Sequence, residues 1–182
     1  MIKPKYTPKQ SLADTIKILE ANGIKEPICL VGIRGYYKNS MGDGKNSRNL
    51  YDDAIFVIGP ECYIAFNANT DPSALYKKNV ASLCPGVYEY IKGQHGISGN
   101  RPYPALRQYS DVFVKRDGYN EVFKDSPNSR FWINIHRGGR NSTSSEGCQT
   151  IHPDQWDSFI STVYRIMKEN FTDKIKYILR EA

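Results

Sequence analysis

The sequence predicts a mainly β domain with flanking helices, an α+β arrangement on a single core. Three observations predict it. Apolar residues recur at helical spacing near each end, as Leu12, Ile16 and Leu19, then Trp156, Phe159, Ile160, Val163 and Met167. Short apolar or alternating runs separated by turn residues fill residues 51–136. The chain has 182 residues, 40% of them hydrophobic and 12% aromatic, enough for one substantial core.

The first helix is expected over residues 8–22. Thr7 stands as N-cap, Pro8 as N1 and Gln10 as N3, and Gly23 provides the stop. A short strand over 28–33 follows, and then a Gly-, Asn- and Ser-rich surface loop over 35–49. Within it Gly44-Lys45 is similar to part of a phosphate-binding loop, but Asn39 and Asn46 stand where that motif needs Gly and Ser or Thr. Runs 54–58 and 62–66 flank Gly59-Pro60-Glu61 and predict a hairpin. Further strands are expected at 86–91, 111–115 and 121–123, with Asp117-Gly118 as a turn between the last two. The best strand pattern is 131–136, followed by a polar loop over 137–146. The last helix is expected over 153–170, with a shorter piece after it, and His152 belongs to its entry. Residues 1–50 read as a helix-strand extension and loop packed on the same domain, and 51–182 as the main domain with its C-terminal helix.

Lys and Arg number 25 against 19 Asp and Glu, a net charge of +6. That surface favours approach to a polyanion such as nucleic acid, an anionic membrane or an acidic cell wall. The basic residues form no dense run and match no nucleic-acid-binding motif, so specific nucleic-acid binding is not expected. No apolar run approaches the length that spans a bilayer, so membrane insertion is not expected either. The first ten residues lack the apolar segment of a secretory signal, so synthesis in the cytoplasm is expected. The four cysteines form no C-x-x-C pair, and none of the three histidines pairs at metal-ligand spacing, so no metal or other cofactor is expected. Cys29 and Cys62 sit in apolar runs as small hydrophobes, and Cys84 precedes Pro85-Gly86 as a structural residue.

The chemistry concentrates in residues 133–150. Side chains alternate across a strand, so Phe131, Ile133 and Ile135 are expected to face the core, and Trp132, Asn134 and His136 an open cleft. Asn134 is placed to orient the imidazole or to contact substrate. Cys148 stands in Ser144-Ser145-Glu146-Gly147-Cys148, a small and polar context unlike that of Cys29 or Cys62. Gly147 admits close approach of a backbone or a substrate carbonyl. The amides of Glu146, Gly147 and Cys148 are candidates for an oxyanion hole. A nearby imidazole lowers a thiol pKa into the working range, so His136 is expected as base and Cys148 as nucleophile.

Ile133-Asn-Ile-His136-Arg-Gly, a polar loop, then Ser145-Glu-Gly-Cys148 resembles the signature of the L,D-transpeptidase catalytic domain, the YkuD-like family. Cys84-Pro-Gly-Val-Tyr88 is similar to that family's strand entry, and the resemblance runs from about Tyr51 to Ile151. It implies an L,D-transpeptidase-like β-sandwich or barrel acting on peptidoglycan stem peptides through an acyl-enzyme. It makes Cys148 the nucleophile, His136 the base, Gly147 part of the oxyanion turn and Ser145 the small polar residue opening the motif. Glu146 stands where the family has His, the loop over 137–144 is shorter, and Gln149-Thr150 follow the cysteine. These differences favour water over a second stem peptide as acceptor, as in a phage lysis enzyme or a delivered toxin. The expected catalytic group is Cys148, His136, Gly147 and Glu146, with Glu146 reading a substrate amine. The expected substrate-binding set is Asn134, Ser145, Arg137, His95, Trp132 and Arg107, with Arg107 taking a carboxylate. Arg101, Tyr103 and Gln108 are further cleft candidates. The implied protein is a monomer that reaches the cell wall after release or delivery.

Competing expectations are a true L,D-transpeptidase, a zinc peptidase, a non-catalytic cell-wall-binding or virion protein, and a charge-driven nucleic-acid binder. Thiol reagents, chelators, retained binding by Cys148→Ala and salt-sensitive DNA binding separate them.

Overall fold

Cys29–Arg34 (β1) is buried along its whole length and apolar up to its last residue, Arg34, and both of its faces are covered. The computed structural model, which describes residues 2–41, 44–129 and 131–182, shows why. Asp53–Gly59 (β2) runs antiparallel to β1, and Lys174–Glu181 (β11) runs parallel to it on the other side. The sheet continues from β11 to Gly86–His95 (β5) and Tyr103–Gln108 (β6). It then passes to Ile135–Arg137 (β9), Gln149–Ile151 (β10) and Cys62–Asn69 (β3), and returns to β2. These eight strands close into a barrel. A separate three-stranded sheet is formed by Ala81–Leu83 (β4), Val112–Arg116 (β7) and Val122–Asp125 (β8).

Inside the barrel Leu30, Ile55, Val57, Tyr88, Tyr90 and Tyr177 share a core with the buried stripe of Trp156–Glu169 (α3). Outside it, Cys29, Val31, Ile33, Phe56 and Ile178 pack under Ile18 and Leu19 of Leu12–Ala21 (α1). A further short helix, Lys38–Met41 (α2), lies in the long loop after β1. Residues 1–50 thus supply one barrel strand, and a division of the chain at residue 50 runs through the barrel wall. Among the described residues no helix is long and apolar enough to cross a membrane.

The mainly β expectation, the 54–58/62–66 hairpin and the final helix stand. Gly23 ends α1 with φ +66, its amide bonded to the Glu20 carbonyl. Helix α1 nevertheless starts at Leu12 rather than at residue 8, capped by the Ser11 hydroxyl on the Asp14 amide. The segment before it is held by other partners. The Tyr6 carbonyl accepts from Tyr37 and Asn67, and the Lys9 carbonyl accepts from Tyr36. The buried face is Thr15, Ile18 and Leu19, whereas Leu12 and Ile16 are exposed. Strands β4, β6 and β10 have no counterpart in the sequence reading, and the piece expected after the last helix is strand β11. Within 131–136 only the end, β9, makes ladder bonds, yet the predicted alternation holds. Ile133 and Ile135 are fully buried in the core and Phe131 packs against it.

At one end of β1, β2 and β3 a buried polar knot stands in for apolar packing. Asp53 accepts from the Gly35 amide at 2.5 Å and from the Thr70 amide and hydroxyl at 2.6 and 2.8 Å. Arg34 donates to the Thr70 hydroxyl and carbonyl at 3.0 and 2.7 Å and pairs with Asp71. The knot fixes where β3 ends, and the chain leaving β3 reaches the loop that carries Cys148.

Candidate active site

Parallel pairing of β9 with β10 sets Gln149 opposite Ile135 and Thr150 opposite His136. Cys148, one residue before β10, therefore lies beside Asn134. The Asn134 amide donates to Cys148 Sγ at 3.4 Å, and Sγ lies 3.4 Å from the Trp132 carbonyl that accepts the thiol proton. Trp132, Asn134 and His136 face a cleft of about 730 Å³ that Cys148 also lines, with His95, Arg107, Phe131, Ser144, Glu146 and the 94–98 loop.

The turn before Cys148 is braced from behind. Gly147 has φ +137, and a Cβ there would sit 2.7 Å from the Ala81 carbonyl oxygen and 3.0 Å from Ile133 Cδ1. Ser145 Oγ accepts from the Gly147 amide at 3.0 Å and donates to the Cys148 carbonyl at 2.6 Å. Ser73 holds Ser145 in turn, through its hydroxyl to the Ser145 amide at 2.7 Å and its amide to the Ser145 carbonyl at 2.8 Å. Ser145 is a buried brace of the turn rather than a substrate contact. The Gly147 amide is likewise committed to it and is not an oxyanion donor. Among the described residues the Glu146 and Cys148 amides donate to no protein acceptor, which leaves these two for that role.

His136 is held on three sides. Its Nδ1 lies 2.8 Å from the Arg137 carbonyl. A carbonyl only accepts, so Nδ1 carries the proton and Nε2 is the basic nitrogen. The Tyr103 hydroxyl is 3.3 Å from the same Nδ1. The His95 ring stacks on the His136 ring with centroids 3.8 Å apart and planes 7° from parallel. Tyr103 and His95 are cross-strand partners at the open end of β5 and β6, so one pair grips the imidazole by edge and by face.

These surroundings set the charge states. Burial, and secondarily the neighbouring His95, pushes His136 down to about 3, against the opposing pull of the Arg137 carbonyl. Burial pushes the Cys148 thiol up to about 11; the Asn134 amide works against this and Glu146 adds to it. At neutral pH the resting pair is neutral thiol and neutral imidazole. Among the described residues Cys148 Sγ bonds to Trp132 and Asn134 and not to His136. The expectation that the imidazole lowers the thiol pKa is therefore not met in the resting site.

The other expected residues divide. Arg107 and Trp132 lie in the cleft, the guanidinium carbon 3.7 Å from the indole centroid. Asn134 lines the cleft, but its Oδ1 accepts from the Gln108 amide at 3.1 Å rather than from the imidazole. Gln108 is buried, its side chain bridging Ile133, Ser110 and Asp125, and serves as scaffold. Glu146 is exposed at the rim and paired with Lys77 at 2.6 Å, which places its carboxylate against a lysine of this chain. Arg137 contributes its carbonyl, while its guanidinium lies over the Tyr103 ring at 4.8 Å, outside the cleft lining. His152 accepts from the Asp154 amide at 3.2 Å at the entry to α3. Ser73 and the gripping role of Tyr103 went unread, because both depend on pairings between distant strands. Among the described residues no group of three or more His, Cys, Asp or Glu side chains is arranged to hold a metal ion. Comparison with protein families, characterised proteins and solved structures finds no match to this chain.

Proposed function

We propose that the protein is a cysteine-dependent peptidoglycan hydrolase of L,D-transpeptidase-like build, cleaving stem-peptide amide bonds through a Cys148 acyl-enzyme. One observation carries the reading. A cleft thiol and a histidine whose Nδ1 is committed to a carbonyl line the same cleft, which leaves Nε2 as the ring nitrogen able to accept a proton. The His-to-Cys motif and the barrel architecture with flanking helices support the family assignment.

In the first step Sγ bonds to the substrate carbonyl carbon while the thiol proton passes to His136 Nε2. The Glu146 and Cys148 amides take the developing oxyanion. The C–N bond then breaks and the leaving amine carries away that proton. Water, deprotonated by His136, adds to the thioester, and the proton returns to the departing sulfur. An amine in place of water would give transpeptidation. The protein meets its substrate in the cell wall after release or delivery.

The test is incubation of purified sacculi with wild type and with Cys148→Ala, followed by mass spectrometry of the released muropeptides. Shortened stems or opened cross-links with wild type alone are expected. Exchanged cross-links would replace hydrolysis with transpeptidation. No product on several wall types would overturn the enzymatic reading. One observation favours a second reading, a non-catalytic cell-wall-binding protein: the resting thiol is protonated and engaged by backbone rather than by His136. That reading requires sacculus binding to survive Cys148→Ala.

A further inference from the structure

Among the described residues Arg107 is the charged side chain of the cleft without a counter-ion. Glu146 at the rim is matched by Lys77, and His136 and His95 are both pushed toward the neutral form by burial. Among the described residues Arg107 forms no ion pair, although it is half-buried. Arginine carries its charge at any working pH, and an unmatched guanidinium partly removed from water is costly unless an anion completes it.

The site is built rather than incidental. Arg107 lies over Gly93 of the neighbouring strand, where a Cβ would come within 2.6 Å of Arg107 Cγ and Cδ. Glycine at that position clears the path of the arginine stem. The guanidinium then rests 3.7 Å above the Trp132 centroid, which holds its plane and leaves its N–H edges for a ligand. The same Trp132 receives the Cys148 thiol on its backbone carbonyl. A single residue thus sets the distance from nucleophile to cation, the span from its carbonyl to its own side chain.

We infer that Arg107 and Trp132 form a carboxylate subsite of the Cys148 cleft, which takes the free α-carboxylate of the residue beyond the scissile bond. This rests on the proposed function and sharpens it. A leaving residue extends about 3.5 Å along the chain, so its carboxylate falls within reach of a guanidinium one side chain away from the thiol. The cleft then favours bonds whose leaving residue carries a free α-carboxylate over bonds whose leaving residue has that carboxyl amidated. A planar carboxylate accepts two parallel N–H bonds from the guanidinium, which lysine at this position cannot supply.

The test uses full-length Cys148→Ala protein and a stem tetrapeptide with a free C-terminal carboxylate, set against the same peptide as its C-terminal amide. Calorimetry is expected to show about ten- to a hundredfold tighter binding of the acid, the range of a charge-assisted hydrogen-bonded pair. Arg107→Met is expected to bind both peptides as weakly as the unaltered arginine binds the amide. Equal affinity for acid and amide in the Arg107 protein, or a preference that survives in Arg107→Met, overturns the subsite. A second probe separates this from failure of the cell-wall reading. N-acetylalanine and its amide are titrated while the Trp132 indole N–H is followed by NMR, in a chain with only two tryptophans. A shift with the acid alone, lost in Arg107→Met, supports the subsite even when no stem peptide binds. No difference between acid and amide refutes it.

Discussion

The neutral resting pair makes a direct prediction for thiol reactivity. Cys148 is pushed up to about 11 from an ordinary value of 9.0. At pH 7 its thiolate fraction falls from about 10⁻² to about 10⁻⁴, a hundredfold loss. Intrinsic nucleophilicity rises with thiol pKa with a Brønsted slope of about 0.4–0.5, which over two units returns nearly tenfold. The net expectation is alkylation by iodoacetamide about tenfold slower than for an ordinary thiol. The rate should climb with unit slope in pH to beyond pH 10. Peptide mass spectrometry distinguishes Cys148 from Cys29, Cys62 and Cys84 in one sample. His136→Gln is expected to leave the profile unchanged, because the Cys148 thiol bonds to Trp132 and Asn134 among the described residues. A preformed thiolate–imidazolium pair would behave oppositely, with a plateau from mildly acidic pH upward that His136→Gln abolishes. That plateau would refute the electrostatic argument. If the slope is seen, the sulfur becomes a nucleophile only when substrate displaces it from the Trp132 carbonyl.

Three further outcomes are expected. Gly147→Ala forces a Cβ against the Ala81 carbonyl in a backbone region unsuited to alanine. It should cost on the order of 1–3 kcal/mol in denaturant unfolding and abolish product formation from sacculi, and unchanged values for both would show that the turn is not constrained as described. His95→Ala uncovers one face of His136 and should move its NMR titration upward from about 3 toward the ordinary value, whereas His95→Phe keeps the face covered and should move it less; equal shifts would remove stacking as the source of burial. Asp52 is raised to about 6 by burial, with Asp71 adding to the effect, so its folded pKa exceeds its unfolded one. Its contribution to stability is present at acid pH and is lost as pH rises through about 6. Asp52→Asn should therefore stabilise the protein at pH 8, by at most about 3 kcal/mol for two pKa units, and do little at pH 4; a lower melting temperature at both pH values would refute the sign.

The cleft wall was legible because one strand period carries it. Ile133 and Ile135 demand the core, so Trp132, Asn134 and His136 must face the other way. Cys148 was legible by contrast with Cys29, whose apolar neighbours announce burial. What the residues around a position cannot express is which remote strand arrives beside it. Tyr103 was only one aromatic among many until the β5–β6 register set it opposite His95. Strand β6 carries Pro104, a residue that lacks a ladder donor, and it meets β9 at a single bridge, Leu106 to Ile135. Strand β11 alternates Ile175, Tyr177 and Leu179 inward with Lys174, Lys176 and Ile178 outward, but it follows a helix closely enough to read as its continuation. The start of α1 was missed for a related reason. Thr7-Pro8 is a sound local cap, and side chains from elsewhere in the chain compete for the carbonyls beside it.

The parallel seam between β1 and β11 also has a kinetic side. It joins residues 147 positions apart, as Cys29 and Lys176, and β11 is simultaneously the strand that separates β1 from β5 in the barrel order. Until that strand inserts, the barrel is an open sheet with two unsatisfied edges, each a template for pairing with another chain. Folding should therefore be slow and should finish with this one event. A ribosome releases β5, β6 and the whole cleft segment before it releases β11, so the nascent chain holds its Cys148 turn on an unclosed scaffold, exposed to aggregation, until the last stave arrives.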